Sequence, residues 1–103
     1  MSERLRELLF QAVGLGASTV LFVVGNPPAL RLQGQVQSFP GEPPLRYQDT
    51  QPLAETLMTP QSLADFNAEG AVEIPFQIGT ARGRVHIYYA QGSHNLVFTL
   101  DPR

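Results

Sequence analysis

The stretch "VVGNPPALRLQGQV" (residues 23–36) places a Gly-Asn-Pro-Pro sequence between an apolar run and an alternating one. Glycine and asparagine tolerate a positive φ, and each proline fixes φ near −65° and removes a backbone donor. Because strand pairing cannot continue through two successive prolines, we expect the chain to turn back here. The predicted structural corner consists of Gly25, Asn26, Pro27, Pro28 and Gly34.

The segments on either side of this corner have the composition of strands. "STVLFVV" (residues 18–24) is rich in β-branched and aromatic residues with no polar alternation, which predicts a central strand covered on both faces. "ALRLQGQVQSF" (residues 29–39) alternates instead. We expect its apolar side chains to point inward and its polar ones, including Arg31, outward. The expected inward residues are Leu30, Leu32 and Val36.

Helical patterns precede and follow these strands. An apolar rhythm at i, i+3, i+4, i+7 and i+8 predicts a first helix, with Ser2 as its cap and Gly14 or Gly16 at its end. Asp49 is expected to cap a second helix with Pro52 in its first turn. A third helix is expected to begin at the Thr-Pro pair at residues 59–60 and to end at a glycine. The apolar residues of the first helix are Leu5, Leu8, Leu9, Ala12 and Val13, and the third helix is expected to end at Gly70.

Three further strand-like segments complete the chain, at residues 72–78, 84–89 and 95–100. Pro75 places the first of them at a sheet edge or a bulge, since proline has no donor for a central ladder. The order is helix, three strands, two helices, three strands. It predicts an α+β fold with a mostly antiparallel sheet of about six strands and about three helices covering one face.

Composition excludes several classes of function. The 103 residues are expected to form one domain, 1–103, and the net charge of −2 argues against binding nucleic acid or an anionic membrane. All seven basic residues are Arg, and Lys and Cys are absent. The chain therefore has no P-loop lysine, Schiff-base lysine or thiol nucleophile. No apolar run is long enough to cross a bilayer, so we expect a cytoplasmic protein without membrane insertion.

Several spaced motifs resemble the N-terminal domain of the type IV pilus retraction ATPases, the PilT branch of the secretion ATPases. In that family a Gly-x-Pro-Pro turn leads into a strand bearing Arg and then Gly, as Pro27, Pro28, Arg31 and Gly34 do here. The resembling stretches are "GAS" (16–18), "GNPPALRLQGQV" (25–36), "PPL" (43–45), "LMTPQSLADF" (57–66), "ARGRV" (81–85), "QG" (91–92) and "VFTLDP" (97–102).

The resemblance implies a PAS-like α+β module that precedes a RecA-type ATPase core. In the family this module packs against a neighbouring subunit of a hexameric ring, and its arginines approach the nucleotide. No motor core follows within these residues, so ATP hydrolysis is not carried over. The family's Asp-Leu-His-Leu is Thr-Val-Leu-Phe at residues 19–22, and its Arg-Phe-Arg-Val-Asn is Arg-Gly-Arg-Val-His at residues 82–86. Thr99 stands where the family has an arginine. These departures favour a scaffold or adaptor over a nucleotide-binding module.

Arg82 and Arg84 are the main candidates for a functional site. At i and i+2 on a strand they share a face, where two guanidinium groups favour an anion, a carboxylate or a partner surface. Arg31 is the third interface or anion candidate, and solvated charges on an exposed strand are the alternative. The chain predicts no catalytic residue, cofactor or metal site, since neither its histidines nor a Ser93, His94 and Asp101 triad has supporting spacing.

Three hypotheses follow for function. The first is a non-catalytic interaction, regulatory or oligomerisation module for a type IV pilus or related ATPase, whose partner is the ATPase ring or another copy. In it, the proline corner presents a rigid edge and the arginines meet an acidic surface. The second is the detached N-terminal domain of a complete retraction ATPase. The third is a PAS-like sensor with a small apolar ligand between the sheet and the helices.

Overall fold

The computed structural model describes residues 3–101, which form three helices and one six-stranded sheet. The elements in chain order are α1 (Glu3–Leu15), β1 (Thr19–Phe22), β2 (Ala29–Leu32), β3 (Gln35–Ser38), α2 (Tyr47–Leu57), α3 (Pro60–Glu69), β4 (Ala71–Ile78), β5 (Ala81–Ala90) and β6 (Ser93–Leu100). The strand order is β3-β2-β1-β6-β5-β4, and every neighbouring pair is antiparallel. The predicted α+β architecture is therefore confirmed.

Helix α1 is amphipathic, as its apolar rhythm predicts. Its four buried positions recur at helical spacing and join the buried strand residues in one core cluster. The helix ends where Gly16 takes φ of 80° and donates its N–H to the Val13 carbonyl oxygen at 3.1 Å. The predicted cap, Ser2, lies outside the described residues. The buried residues of α1 are Leu5, Leu8, Leu9 and Ala12.

The start of α2 differs from the prediction. The helix begins at Tyr47 with Arg46 as its N-cap, so Asp49 is the third helical residue and not the cap. From there its Oδ2 accepts a hydrogen bond from the Arg46 N–H at 2.8 Å. Pro52 consequently lies inside the helix, beyond the first turn, where it removes an intrahelical donor.

Helix α3 begins and ends as predicted. Thr59 Oγ1 accepts from the Ser62 N–H at 3.1 Å, and Ser62 Oγ accepts from the Thr59 N–H at 2.7 Å. Pro60 opens the first turn, and Gly70 ends the helix with φ of 80°. Two donors at the helix start are thus satisfied by reciprocal side-chain acceptors.

The core lies between the helices and one face of the sheet. Phe98 is completely buried, with its ring edge-on to Phe22 (centroids 5.6 Å apart) and to Phe76 (4.9 Å). Within residues 3–101, no helix lies over the opposite face of the sheet. Thr19 and Leu21 of β1 point to that side and are half-exposed, so the prediction that this strand is covered on both faces is wrong.

Two strand connections use the same pair of residues. Gln33 and Gly34 join β2 to β3, and Gln91 and Gly92 join β5 to β6, all four with positive φ between 51° and 81°. Two consecutive positive φ values are typical of the type I′ turn that closes a two-residue hairpin. Gly34 therefore belongs to this turn and not to the corner at residues 25–28, with which it was grouped.

The short turn also corrects the expected orientation of Val36. The hairpin register pairs Leu32 with Gln35 and Arg31 with Val36. Since directly opposite residues share a face, Val36 lies beside Arg31 on the side away from the helices and is 55% exposed. The alternation of β2 cannot be extended through the turn into β3.

Within residues 3–101, no helix is both long and apolar enough to cross a membrane.

Candidate interaction surface

The face of the sheet opposite the helices carries all three arginines predicted from the sequence. From Ala81 to Ile87 of β5, burial alternates strictly, with Arg82 and Arg84 exposed between buried residues. His86 and Tyr88 continue the same face. Strand β5 presents its polar side chains to solvent because the apolar residues that alternate with them pack in the core, as the sequence predicts. We call this surface, opposite the helices, the open face.

The strand register places Arg31 and Arg84 in one row across the open face. Arg31 is opposite Thr19, Thr19 is opposite Thr99, and Thr99 is opposite Arg84. Three strand spacings separate the two arginines, which is about 14 Å. Arg82 lies two residues, or about 7 Å, from Arg84 along β5. The structure therefore brings the three candidates to one surface but not into one cluster.

Two of the three arginines have acidic partners. Arg84 Nε lies 2.9 Å from Glu73 Oε2 on β4, and Arg82 Nε lies 3.8 Å from Asp101 Oδ2. All four side chains of these pairs are at least 53% exposed. Arg31 is exposed and forms no ion pair within residues 3–101. Exposed pairs of this kind contribute little to stability, so both arginines can change partners at small cost.

Shallow concavities adjoin these arginines. One, of about 410 Å³, lies on the open face between Glu73, Arg84 and Thr99. Another, of about 690 Å³, lies at the end of α1, with Ser18, Arg82 and Asp101 among its lining residues. The first lies outside the space between the sheet and the helices, where the sensor hypothesis places its ligand. The second reaches the end of that space, between Val13 of α1 and Leu100 of β6. That space holds the fully buried core side chains Leu5, Leu9, Leu53, Phe22 and Phe98.

The proline corner is attached to the interior of the protein. Gly25, with φ of 94°, donates its N–H to the Leu45 carbonyl oxygen at 2.9 Å, and the Leu45 N–H donates to the Asn26 carbonyl oxygen at 2.9 Å. Pro28 is buried and Pro27 half-buried. The corner does reverse the chain between β1 and β2, and its first two residues, Gly25 and Asn26, are exposed. Pro28 is thus withdrawn from contact with another protein, whereas residues 25–27 stay accessible.

An aromatic cluster at the β5–β6 hairpin was missed by the sequence analysis. The ring of His94 stacks on that of Phe66 with centroids 5.2 Å apart and meets the Tyr89 ring edge-on at 5.4 Å. Desolvation by burial lowers the pKa of His94, and the negative charge of Glu55 partly opposes this shift. No local sequence pattern indicates this cluster, because α3 and the β5–β6 hairpin come together only in the folded chain.

Neither a metal centre nor a catalytic triad is assembled in the described chain. Residues 3–101 contain no group of three or more His, Cys, Asp and Glu side chains placed to hold a metal ion. Ser93 begins β6, whereas Asp101 follows its last residue and pairs with Arg82. Eight residues of strand separate them by roughly 26 Å, so His94 cannot bridge the two.

Comparison with known proteins places this geometry in context. No protein-family model matches the chain, and no curated protein sequence matches it. A crystal structure of the pilus retraction motor PilT with bound ADP is similar, with a TM-score of 0.80 and 30% sequence identity over 91% of this chain. This chain has the fold of the N-terminal part of PilT. It spans 28% of the PilT chain, and the resemblance predicted from sequence is confirmed.

Two structures of the ATPase DotB share the same fold. The Legionella pneumophila protein has a TM-score of 0.67 at 17% identity, and the Yersinia pseudotuberculosis protein has 0.72 at 14% identity. Each alignment covers 96% of this chain, but only 28% and 30% of the respective DotB chains. At these identities the DotB structures support the fold alone, whereas PilT also shares sequence with this chain.

Proposed function

We propose that this chain is a non-catalytic, cytoplasmic interaction module that works with a type IV pilus retraction or related secretion ATPase. The similarity to PilT over 91% of the chain is the observation that carries this proposal. The chain has no lysine and so supplies no P-loop of its own. Its role is to contact an ATPase ring or another copy, in assembly or regulation of the machine.

The open face is the contact surface in this proposal. Arg82 and Arg84 meet an acidic surface of the partner, replacing their exposed ion pairs with Asp101 and Glu73. A carboxylate of the partner can accept two parallel hydrogen bonds from one guanidinium group. Arg31 extends the positive charge across the sheet, and a specific interface of this kind buries about 1,200 to 2,000 Å² in total.

Charge reversal tests the role of the two arginines. We expect Arg82→Glu combined with Arg84→Glu to abolish co-purification with the retraction ATPase ring of the same cell. The matched control is Arg46→Glu, which reverses an exposed arginine at the start of α2, away from the open face. Circular dichroism must show both variants folded. Unchanged binding by the double variant would remove the assigned role of Arg82 and Arg84.

A second candidate function follows from the coverage of PilT. Because the match spans only 28% of that chain, the 103 residues also suit the N-terminal domain of a longer retraction ATPase. Reading the coding frame beyond Arg103 distinguishes the two. A downstream Gly-rich loop with a lysine would make the whole protein a motor, with Arg82 and Arg84 contributing to its subunit interface.

A further inference from the structure

The two edges of the sheet differ in their ability to accept another strand. At the β4 edge, the Tyr89 N–H donates to the Gly70 carbonyl oxygen at 2.9 Å. This bond shows that the backbone groups of Gly70 point towards β5. The direction alternates from one residue to the next along an antiparallel strand, so the backbone groups of Glu73, Pro75 and Gln77 point away from β5. Pro75 has no N–H to offer, and Glu73 adds charge. Both features prevent an edge strand from pairing with another chain.

The β3 edge carries neither protection. The Phe39 N–H donates to the Pro28 carbonyl oxygen at 3.0 Å, so by the same alternation the backbone groups of Val36 and Ser38 face away from β2. All four residues of β3 are exposed, and the strand contains no proline and no charged residue. It therefore offers outward donors and acceptors to an added strand.

The side chains beside this edge indicate what such a strand would carry. Val36 is 55% exposed and lies opposite Arg31 on the open face. A residue of an added strand opposite Val36 would be two strand spacings, about 9.6 Å, from Arg31. A glutamate there can reach over Val36 to the guanidinium group, which has no ion pair within residues 3–101.

We propose that the β3 edge binds an extended, acidic segment of a partner protein by strand addition. The segment pairs its backbone with Val36 and Ser38, and it places a carboxylate against Arg31. This edge lies at the opposite side of the sheet from β4 and β5, so strand addition does not require Arg82 or Arg84. It shares only Arg31 with the contact surface of the proposed function.

A second copy of the chain fits this edge less well. Strands β2 and β3 contain no acidic residue, so self-pairing would bring one copy's Arg31 towards the other's without a carboxylate between them. The lack of a carboxylate in β2 and β3 therefore favours an acidic partner strand over a second copy.

The test uses a capped eight-residue peptide in which Val alternates with Glu, titrated into the ¹⁵N-labelled chain. We expect shift changes centred on β3 and slowed hydrogen exchange at the Val36 and Ser38 amides. A matched peptide with Lys in place of every Glu should bind at least about tenfold more weakly, and Arg31→Glu should reverse this preference. Equal affinity for both peptides, or shift changes centred on β4, would overturn the proposal.

Two further measurements separate strand addition from other contacts. Val36→Pro removes the outward donor and should abolish binding, whereas Val36→Thr keeps the donor and should bind normally. Two peptides N-methylated at alternate residues test the same point without altering the protein. The peptide methylated at the residues whose N–H groups point away from β3 should bind. The peptide methylated at the residues whose N–H groups point towards β3 should not, and equal binding by both rules out backbone pairing. A dimer of the free chain that Val36→Pro dissociates would instead assign the edge to a second copy.

Discussion

Gly83 on β5 lies so close to Thr99 on β6 that a Cβ atom at position 83 would overlap the Thr99 carbonyl oxygen. The same Cβ would stand 3.1 Å from the Asp101 backbone nitrogen. Gly83 also has φ of 154°, which side chains of L residues rarely adopt. The close approach leaves no room for a side chain at position 83, where the resembling Arg-Phe-Arg motif has an aromatic residue.

We expect Gly83→Ala to lower the free energy of unfolding by about 2 kcal/mol or more, because the new methyl group meets backbone atoms that cannot rotate away. Urea denaturation followed by circular dichroism measures the change. Gly14→Ala is the control, since Gly14 lies near the end of α1 with open space around its Cβ position. It should raise stability by about 0.5–1 kcal/mol. A neutral Gly83→Ala would contradict the close approach.

The partly buried position of His94 predicts a pH dependence of stability. Desolvation lowers its pKa in the folded state, so the unfolded chain binds more protons below its ordinary pKa of 6.5. Stability should therefore fall as pH drops through about 6.5 and level off below the folded-state pKa. Urea midpoints between pH 7.5 and pH 5.5 measure this slope. His94→Gln should flatten it, and an unchanged slope would assign the effect to other groups.

Glu55 offers an independent test of the same balance. Its charge raises the pKa of His94, against the larger effect of burial. Glu55→Gln should therefore lower the pKa of His94 further and widen the pH range over which stability is lost. The pKa is measured directly by NMR titration of the His94 ring protons. A rise in that pKa would show that Glu55 does not act on His94 by charge.

The start of α3 should be sensitive to one hydroxyl group. Thr59→Ala removes the acceptor of the Ser62 N–H and should cost about 1 kcal/mol of unfolding free energy. Thr56→Ala is the control, because the Thr56 hydroxyl donates to the Pro52 carbonyl oxygen on the exposed side of α2. That change should stay within about 0.5 kcal/mol. Equal losses in the two variants would remove the special role of the cap.

The Arg84–Glu73 pair should contribute little to stability despite its short distance of 2.9 Å. Both side chains are 55% exposed, and exposed pairs contribute about 0–1 kcal/mol. A double-mutant cycle with Arg84→Ala and Glu73→Ala should give a coupling energy below about 1 kcal/mol that shrinks in high salt. A larger coupling energy would mean that Arg84 is committed to the fold and less available to a partner.

Local chemistry determined what could be predicted of the fold. The helix rhythm of α1, the Thr-Pro start of α3 and the Gly70 end depend on neighbouring residues, and the structure has all three. The alternation of β5 likewise predicted the exposed arginines. The edge position of Pro75 followed from its missing donor.

The predictions that were wrong concern features that depend on contacts between distant parts of the chain. Asp49 is not the N-cap because α2 already begins at Tyr47, and Val36 faces outward because a two-residue turn resets the strand register. The buried Pro28 and the aromatic contacts of His94 arise where separate segments meet. The spacing of apolar residues within one segment carries no information about contacts between segments. The candidate arginines were predictable, but their distribution over 14 Å of sheet required the strand order.

Pro75 makes this sheet extendable in one direction only. Ordered fibres require each added molecule to expose a fresh edge for the next, and the outward side of β4 breaks that cycle at every step. Head-to-tail stacking of copies through their sheet edges is therefore interrupted at β4. Even at high concentration, the folded domain should thus resist edge-to-edge polymerisation.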